Sequence, residues 1–483
     1  MNILFIINNG INESFIVTDI ISYLKTKGHA VELLIEKEER DFFKKIAFFN
    51  PQLIVLPVPI LEKNWYFDMG KRLKEKFPAH LLYWGAAPTF YPETVLLKSN
   101  CDFICRGEGE YAIAELAQTL EQNKPYSNIR NIGCKEGDKL VINPLRPLVK
   151  NLDDLPLPDR NVYYKYPFLR NINMKRFLTS RGCTHLCSGC WNNALSNVYG
   201  SPPDFYRRKS PERIIEEILY IKEKYPLTSI HFSDDLFIHP HYYSDLFKFL
   251  ELYKKKVNIR FTCNVRPDYI TSDIARLFSS ANCSALAISV ESGCSEIRNS
   301  ILGKKIYDEQ IIKAAKLIHE NGMQLMTFNL MALPSEKISD IYKTIELNKH
   351  IKTEFARINI FFPMRNSDLY RHVKSNNLLR NEPFNSILSL SRELYNPIFH
   401  TQDKRQYKNI YFLFLFSIKF RVPIKIIKIL SRLPLLHVYR LIHMMVANIN
   451  EKKFFGIKFV CGIVYFLHTK GVSRRSENLT SIY

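Results

Sequence analysis

Predicted strands and helices alternate in two separate series along this chain, and this alternation constrains the fold more than any other feature. The first series begins with NILFII at residues 2–7 and ends near residue 122, and the second runs from residue 174 to residue 361. Strands joined by helices form parallel sheets, because each helix returns the chain to the same edge. The sequence therefore predicts an α/β protein with a Rossmann-like, doubly wound N-terminal domain and a partial (β/α)6 barrel of the TIM type.

Chain length also predicts more than one domain, because 483 residues are too many for one ordinary hydrophobic core. We expect the Rossmann-like domain at residues 1–150, a linker at 151–172, the barrel at 173–384 and a basic helical region at 385–483. The N-terminal apolar run has no basic segment before it and no cleavage site after it. It therefore predicts a first strand rather than a signal peptide.

The carboxyl ends of parallel strands are where such sheets bind ligands. In the first domain these ends carry the segments 8–10, 57–59, 85–89 and 107–110, which are rich in glycine, proline and asparagine. The first of them is not a GxGxxG loop, so a dinucleotide is not expected there.

Three cysteines, Cys183, Cys187 and Cys190, lie within eight positions directly after the first strand of the second series. Three thiolates can bind three irons of a [4Fe–4S] cluster and leave the fourth iron open, whereas a structural zinc site takes four ligands. Ten cysteines in a chain of this length fit a reducing compartment better than a disulfide framework. The alternative is a zinc site with a distant fourth ligand such as His185.

The segment SRGCTHLCSGCW resembles the signature of the radical S-adenosylmethionine (SAM) superfamily. The resemblance implies that the open iron chelates the amino and carboxylate groups of SAM, which is then cleaved reductively to a 5′-deoxyadenosyl radical. Ser188 and Gly189 stand between the last two cysteines, where the family usually has an aromatic residue.

Four further segments resemble the motifs of that superfamily, in order and at the expected strands. HFSDDLF resembles the second-strand contact to the methionine amino group, CNVRPD the third-strand segment, and SVESGCSEIRNSILGKK the fourth-strand ribose motif, with Lys304 or Lys305 nearby. FNLMALPSE resembles the fifth-strand adenine segment, with Asn329 and Ala332 in place of glycines. The resemblance thus assigns SAM binding to Ser233, Asp234, Asp235, Arg266, Glu291 and Asn329.

The segment from Trp84 to Leu116 resembles the last third of the cobalamin-binding domain that precedes some radical SAM domains. Trp84 and Ala87 stand where that family often has a glycine and a histidine. The domain contains only His29 and His80 and no DxHxxG motif, so a histidine ligand to cobalt is not expected. The candidate cobalamin-binding residues are Asn9, Gly10, Pro57, Gly85, Ala86, Thr89, Gly107 and Glu108. The alternative is a Rossmann-like domain that binds no corrinoid.

Together these resemblances imply a cobalamin-dependent radical SAM methyltransferase (EC 2.1.1 type) acting on an unactivated carbon of a small or lipid-like biosynthetic intermediate. A flavodoxin or ferredoxin is the expected reductant. Three alternatives remain: a cobalamin-dependent radical SAM cyclase or rearrangement enzyme, a tRNA methylthiotransferase, and a corrinoid-binding sensor or scaffold. Cys101, Cys105 and Cys134 lie too late in the domain for the second alternative, and the intact cysteine motif argues against the third.

Positive charge is concentrated at the C-terminus of a chain whose net charge is +21. Residues 401–483 carry fifteen Lys and Arg against three Asp and Glu, mixed with aromatic and aliphatic residues in runs too short or too charged to span a bilayer. The region predicts helices packed on the main body, or amphipathic helices on an anionic membrane surface. Nucleic acid is not expected as a partner. We expect a cytoplasmic protein, with peripheral contact at the inner face of the membrane as the alternative.

Overall fold

The computed structural model describes residues 1–10, 13–379 and 403–455. The chain divides into two compact units. Among the described residues, the first comprises Met1–Asn171 and Leu195–Lys209, and the second comprises Ile172–Ala194 and those from Ser210 onward.

The first unit contains one seven-stranded sheet in the order β2-β1-β3-β4-β5-β6-β7. Its strands are β1 Asn2–Ile7, β2 Ala30–Ile35, β3 Leu53–Pro57, β4 His80–Trp84, β5 Phe103–Cys105, β6 Ile132–Glu136 and β7 Lys139–Ile142. The first five are parallel, and β6 and β7 add an antiparallel edge that the sequence did not predict. The order 2-1-3-4-5 places a topological switch point between β1 and β3.

Helices flank this sheet, and continuous apolar strands such as β1 are buried as a result. The helices of the first unit are α1 Phe15–Thr26, α2 Phe42–Phe49, α3 Lys63–Lys76, α4 Ala86–Phe90, α5 Pro92–Lys98, α6 Glu110–Glu121, α7 Asn161–Tyr164 and α8 Pro167–Arg170. The segment after β7 packs on this unit, because Leu152 and Leu155 cluster with Tyr23 and Tyr111. Further along, the Tyr166 hydroxyl accepts a hydrogen bond from the backbone of β2.

The second unit contains six parallel strands in the open order β15-β14-β13-β12-β11-β8. They are β8 Met174–Phe177, β11 Ser229–Phe232, β12 Arg260–Val265, β13 Cys283–Glu291, β14 Gln324–Met331 and β15 Phe355–Ile360. Two further strands have only two residues each: β9 Ser180–Arg181 belongs to the second unit and β10 Arg207–Arg208 to the first. Neighbours in space are neighbours in sequence, as in a partial barrel. The predicted fold class is confirmed.

His231, on β11, is buried in the second unit, and its Nδ1 lies 2.8 Å from the Thr262 hydroxyl of β12. Burial lowers its pKa to about 3, and the positive charges of Arg176 on β8 and Arg357 on β15 act in the same direction. His231 is therefore neutral in the core of this unit.

The helices of the second unit follow the strands in alternation. They are α9 Trp191–Val198, α10 Pro211–Lys224, α11 Tyr243–Lys256, α12 Ser272–Ser280, α13 Asp308–Glu320, α14 Ile338–His350, α15 Asp368–Ser375, α16 Lys404–Lys419, α17 Ile424–Leu430 and α18 Leu436–Phe455. Local sequence sets their starts: Ser210 accepts the backbone N–H of Arg213 at 3.2 Å and Pro211 occupies the first turn of α10.

The C-terminal helices belong to the core of the second unit. Ile410 and Phe414 of α16 are fully buried in a cluster with Met326, Ile345 and Phe355. The predicted helical character of the tail is therefore confirmed for residues 403–455, and the predictions for residues 385–402 and 456–483 lie outside the described residues. Among the described helices, none is long and apolar enough to cross a membrane.

Candidate active site

The cysteine loop connects β9 to α9 at the carboxyl edge of the six-stranded sheet. Gly182 turns the chain into the loop with φ +81°, a conformation that favours glycine. Cys183 is buried, and Cys187 and Cys190 are half-buried. The loop is anchored at its centre, because the backbone N–H of Ser188 donates to the Leu302 carbonyl at 3.0 Å.

The departure from the family motif at residues 188–189 has a physical reason in this structure. A Cβ at Gly189 would lie 2.7 Å from the ring of Phe361, which follows β15. An aromatic side chain at position 189 would collide with this ring. The ring of Phe361, directly after β15, therefore packs at the position where the family has an aromatic residue in the cysteine loop.

Backbone donors are aimed at two of the three sulfurs. The N–H of His185 donates to Cys183 Sγ and the N–H of Asn192 donates to Cys190 Sγ, both at 3.4 Å. Such N–H···S bonds stabilise metal-bound thiolates and tune their redox potential.

Burial raises the pKa of the Cys183 thiol to about 12 and that of the Cys190 thiol to about 11. Both thiols are therefore protonated at neutral pH unless a positive charge binds them. Metal binding releases these protons, so the donor set fits an iron–sulfur cluster.

The zinc alternative requires His185 to point toward the sulfurs. Its Nε2 instead lies 2.7 Å from the Tyr269 hydroxyl, and burial and the nearby Arg266 charge lower its pKa to about 4. Across residues 1–10, 13–379 and 403–455, no three His, Cys, Asp or Glu side chains are placed to share one metal ion. The contact between His185 and Tyr269 gives no support to His185 as a fourth zinc ligand.

The two adjacent aspartates after β11 have different environments. Asp234 is fully buried, and its Oδ1 accepts hydrogen bonds from Thr179 N at 2.9 Å, Thr179 Oγ1 at 2.8 Å and Ser180 Oγ at 2.6 Å. These residues lead directly into the cysteine loop. Asp234 is therefore a positioning residue that ties the end of β11 to the start of the loop.

Asp235 is exposed to solvent, yet the protein packed around it raises its pKa, while a hydrogen bond from the Asn192 side chain acts in the opposite direction. The contact with Asn192 places Asp235 beside the cysteine loop. Ser233, the preceding residue, accepts a hydrogen bond from Arg176 Nε at 3.0 Å.

Arg266, after β12, is held by its neighbours. Its guanidinium donates two hydrogen bonds to Asp268, at 3.0 and 2.9 Å, and a third to the Lys304 carbonyl at 3.2 Å. It is 8 % exposed. Most of its donors are used within the protein, so its evident role is to fix the segment that carries Lys304.

Glu291 ends β13 in a left-handed conformation, with φ +60°. The register against β14 shifts at this point, and Lys304 Nζ lies 2.6 Å from Glu291 Oε1. A non-glycine residue in this conformation costs about 1–3 kcal/mol and is most often found at functional sites. The backbone is therefore strained where it presents this carboxylate.

Asn329 faces away from the inner surface of the sheet. Its side chain donates to the Arg357 carbonyl at 2.9 Å and accepts from Asn348 of α14 at 2.8 Å, and it is 1 % exposed. A ligand in the barrel could contact only its backbone. Counted back from Pro334, the first glycine of a GxIxGxP motif falls at Phe328 rather than at Asn329, whereas Ala332 does occupy the second glycine position, with φ +61°.

The carboxyl edge of the first unit carries the candidate cobalamin residues on the loops after β1, β3, β4 and β5. They are Asn9, Gly10, Pro57, Gly85, Ala86, Thr89, Gly107 and Glu108. Gly85 has φ +110° and lies against the backbone of Val58, where a Cβ would be 3.4 Å away. Apart from Glu108, the candidate residues at this edge are uncharged, and most of them are small.

Several of these residues hold the edge together. Thr89 Oγ1 donates to the Gly85 carbonyl and accepts from the Gly107 N–H, at 2.6 and 2.9 Å. Trp84 Nε1 donates to the Gly107 carbonyl at 2.9 Å. The Trp84 that departs from the family pattern therefore braces the loop after β5.

Two later residues complete this edge, and sequence reasoning missed both. Tyr199 accepts the Glu108 N–H at 2.8 Å and fills the space beside Gly107. Arg207 bonds Glu108 at 2.8 Å in an ion pair whose side chains are 6 % and 17 % exposed. No motif marks either residue. In the second unit, Thr179 and Ser180 were also missed, although they stand next to the cysteine motif.

The two histidines of the first unit, His29 and His80, lie just before or at the start of β2 and β4. Both are at the amino edge of the parallel strands, opposite the candidate cobalamin residues. The described residues at the carboxyl edge of the first unit thus include no histidine.

Comparison with known proteins gives one family match, over residues 177–347, to the Radical SAM superfamily. An uncharacterized methyltransferase of Pyrococcus horikoshii is 27 % identical over 345 residues, which cover 70 % of this chain and 73 % of that protein. An anaerobic magnesium-protoporphyrin IX monomethyl ester cyclase of Rubrivivax gelatinosus is 21 % identical, over 74 % of this chain and 65 % of that protein.

Among solved structures, the radical S-adenosylmethionine methyltransferase TsrM of Kitasatospora setae, with cobalamin and a [4Fe–4S] cluster bound, is similar in fold. The TM-score is 0.65 with 15 % identity, and the match covers 79 % of each chain. At this identity the similarity concerns the fold alone.

Proposed function

Because residues 177–347 form a radical SAM domain, we propose that this enzyme is a cobalamin-dependent radical SAM methyltransferase in which Cys183, Cys187 and Cys190 hold a [4Fe–4S] cluster. The observation that carries the proposal is the cysteine loop. It supplies three thiols within eight residues, and backbone N–H groups donate hydrogen bonds to two of the sulfurs. His185, in the same loop, lies within hydrogen-bond distance of the Tyr269 hydroxyl. Three ligands on a four-iron cluster leave one iron for SAM.

Of the residues around the cysteine loop, some are proposed to contact SAM and others to hold the protein segments in place. We propose that Asp235 and Glu291 contact SAM, since both carboxylates lie at the carboxyl edge and one is exposed. Asp235 suits the methionine amino group, and Glu291 can accept hydrogen bonds from the ribose hydroxyls. Asp234 and Arg266 position the loop and the Lys304 segment, and the polar side chain of Asn329 takes no part.

The first unit fits a corrinoid in its chemistry. Its carboxyl edge offers backbone groups and small side chains to a large, nearly neutral ring, and its histidines lie at the other edge. We propose that Asn9, Gly10, Pro57, Gly85 and Ala86 contact it, while Thr89, Gly107 and Glu108 hold the loops in place. The bound groups supply the electron-transfer, radical and methyl-transfer chemistry, and the protein orients them and excludes water.

The substrate is proposed to be a small or lipid-like biosynthetic intermediate methylated at an unactivated carbon, with flavodoxin or ferredoxin as reductant. The methyltransferase name of the Pyrococcus horikoshii relative supports this reaction. The cyclase name of the Rubrivivax gelatinosus relative supports a second candidate, radical cyclisation without methyl transfer.

The test is anaerobic purification and reconstitution with iron, sulfide and hydroxocobalamin, followed by metal, corrinoid and SAM-product analysis. We expect stoichiometric corrinoid, iron–sulfur absorption and corrinoid-dependent release of S-adenosylhomocysteine. Cys183→Ala, Cys187→Ala and Cys190→Ala should each lose the cluster, while Cys294→Ser, outside the loop, should keep it. SAM cleavage without S-adenosylhomocysteine would favour cyclisation, and a full cluster in the loop variants would sink the ligand assignment.

A further inference from the structure

Helices α17 and α18 expose an unusual amount of apolar surface. Nine large apolar side chains between residues 420 and 449 are at least 37 % exposed, out of seventeen such side chains in the described part of the chain. This set is named the apolar surface below, and its members are Phe420, Ile426, Ile429, Leu433, Leu435, Val438, Leu441, Met445 and Ile449. A concentration of exposed apolar side chains in one stretch of chain is typical of an interaction site. We propose that it docks the protein on an anionic membrane surface.

Helix α18 is apolar on two opposite faces. Its inner face packs on α16, where His443 stacks on Tyr411 with ring centroids 5.7 Å apart and Val446 is buried. On its outer face Val438, Leu441, Met445 and Ile449 follow one another at intervals of three and four residues, each about half exposed. The inner face accounts for the folding of α18, so the outer face needs a separate partner.

Basic residues surround the apolar surface. Lys419, Arg421, Lys425, Lys428 and Arg432 are all exposed on or beside α17. Over residues 403–455 the sequence has eleven Lys and Arg against two Asp and Glu. A basic rim on an apolar face is complementary to acyl chains covered by anionic headgroups.

The combination of exposed apolar side chains with surrounding basic residues favours an anionic membrane over other negatively charged partners. Nucleic acid would use the lysines but offers no apolar phase for nine exposed side chains. None of the described helices can cross a bilayer, so α17 and α18 would lie in the interface with the apolar surface toward the acyl chains. A second copy of the chain would bury the apolar side chains but bring two basic rims together.

The test is co-sedimentation of the full-length reconstituted protein with vesicles. One set is made of phosphatidylcholine alone and the other of phosphatidylcholine with phosphatidylglycerol. We expect binding to the anionic vesicles only, weakening as salt rises. Leu441→Glu with Met445→Glu should abolish binding, and Lys425→Gln, Lys428→Gln and Arg432→Gln together should weaken it about 100-fold, at roughly a factor of five per charge.

Matched controls carry the same chemical changes elsewhere. Phe48→Glu alters an isolated apolar side chain that is 94 % exposed, and Lys254→Gln, Lys255→Gln and Lys256→Gln remove three exposed charges from α11. Both should bind vesicles as the unchanged protein does. Thermal unfolding and iron content show whether each variant is folded. The charge variant alters only exposed residues and keeps the test decisive if the glutamate variant does not fold.

Three results would overturn the proposal. The first is equal binding to both vesicle types, and the second is unchanged binding of the charge variant. The third is an oligomer in solution that Leu441→Glu with Met445→Glu converts to a monomer while no variant binds vesicles, which would assign the surface to self-association. None of these results bears on the cluster or on methyl transfer, so this proposal fails or stands separately from the proposed function.

Discussion

The carboxyl edges of the two sheets differ in the residues that adopt positive φ after the strands, although the cysteine loop of the second edge also begins with a glycine, Gly182. At the edge of the first unit, the left-handed positions after β4 and β5 are glycines, Gly85 with φ +110° and Gly107 with φ +66°. At the edge of the second unit, Glu291 with φ +60° and Ala332 with φ +61° occupy such positions after β13 and β14. Glycine adopts this conformation without steric cost, whereas other residues do not.

The difference indicates two modes of recognition. The first edge offers backbone and small side chains to the proposed corrinoid, and its charges Glu108 and Arg207 are paired with each other. The second edge tolerates strain in order to present side chains, and Glu291 is the clearest case. Each edge also has a carboxylate that holds it together, the fully buried Asp234 in the second unit and the half-buried Glu108 in the first. The two edges can therefore be disrupted one at a time.

Among the substitutions predicted here, Asp234→Ala is expected to lower the free energy of unfolding most. The substitution removes three hydrogen bonds to a fully buried carboxylate and leaves the donors of Thr179 and Ser180 without their acceptor. We expect a loss of about 4 kcal/mol in unfolding free energy and failure to retain iron. Denaturant unfolding of the cluster-free protein and iron analysis after reconstitution measure the two effects.

Asp235→Asn is the matched control, one residue further along the chain. It removes a charge from an exposed side chain, so stability should change by no more than about 0.5 kcal/mol. The cluster should form while SAM binds more weakly. An equal loss of stability in both variants would contradict the proposal that Asp234 holds the cysteine loop in place while Asp235 contacts SAM.

Arg207→Met should damage the other edge and leave the cluster in place. It breaks the buried ion pair with Glu108 and removes a hydrogen bond to the Val149 carbonyl at 2.9 Å. We expect a loss of about 3 kcal/mol and of corrinoid retention, with iron content unchanged. Adding Glu108→Leu should recover part of the stability, because the second change removes a largely buried carboxylate that has lost its Arg207 counter-ion. A variant that keeps corrinoid but loses iron would reverse the proposed division between the edges.

Local periodicity made the strands of both sheets predictable, since strand and helix patterns depend on neighbouring residues. The position of the cysteine loop followed from the same pattern. The antiparallel pair β6 and β7 was missed, because IGCKE and KLVI are short and only partly apolar.

Roles that depend on distant partners were not predictable. The backbone N–H of Glu108 meets the Tyr199 hydroxyl across 91 positions and its carboxylate meets Arg207 across 99. Asp234 and Asp235 are adjacent residues of the same type in the same motif. Only the structure shows that the Asp234 side chain is buried and the Asp235 side chain is exposed. Asn329 was assigned to SAM by its motif, but its side chain belongs to the outer face of the strand.

Gly189→Ala tests the aromatic packing at the cysteine loop. The new Cβ would lie 2.7 Å from the Phe361 ring and 3.1 Å from Leu369, so overpacking should cost about 2 kcal/mol and reduce iron retention. Gly189→Ala combined with Phe361→Leu should recover iron binding, because the smaller side chain makes room. If the double variant binds no more iron than the single one, Phe361 is not the residue that excludes a side chain at position 189.

The smallest effect, and the only one of opposite sign, is expected for Ala332→Gly. Glycine relieves the steric cost of φ +61°, about 1–2 kcal/mol for an L-residue, but makes the unfolded chain more flexible at a cost of about 0.4–1 kcal/mol. The net result should be a gain of about 0.5 kcal/mol. Ala314→Gly, in the buried interior of α13, is the control and should lose about 1 kcal/mol. The denaturant midpoints of unfolding, compared for variants whose m-values are equal, distinguish the gain in Ala332→Gly from the loss in Ala314→Gly. A loss in both variants would mean that the edge after β14 is not strained, and the contrast with the glycine-built edge of the first unit would then rest on Glu291 alone.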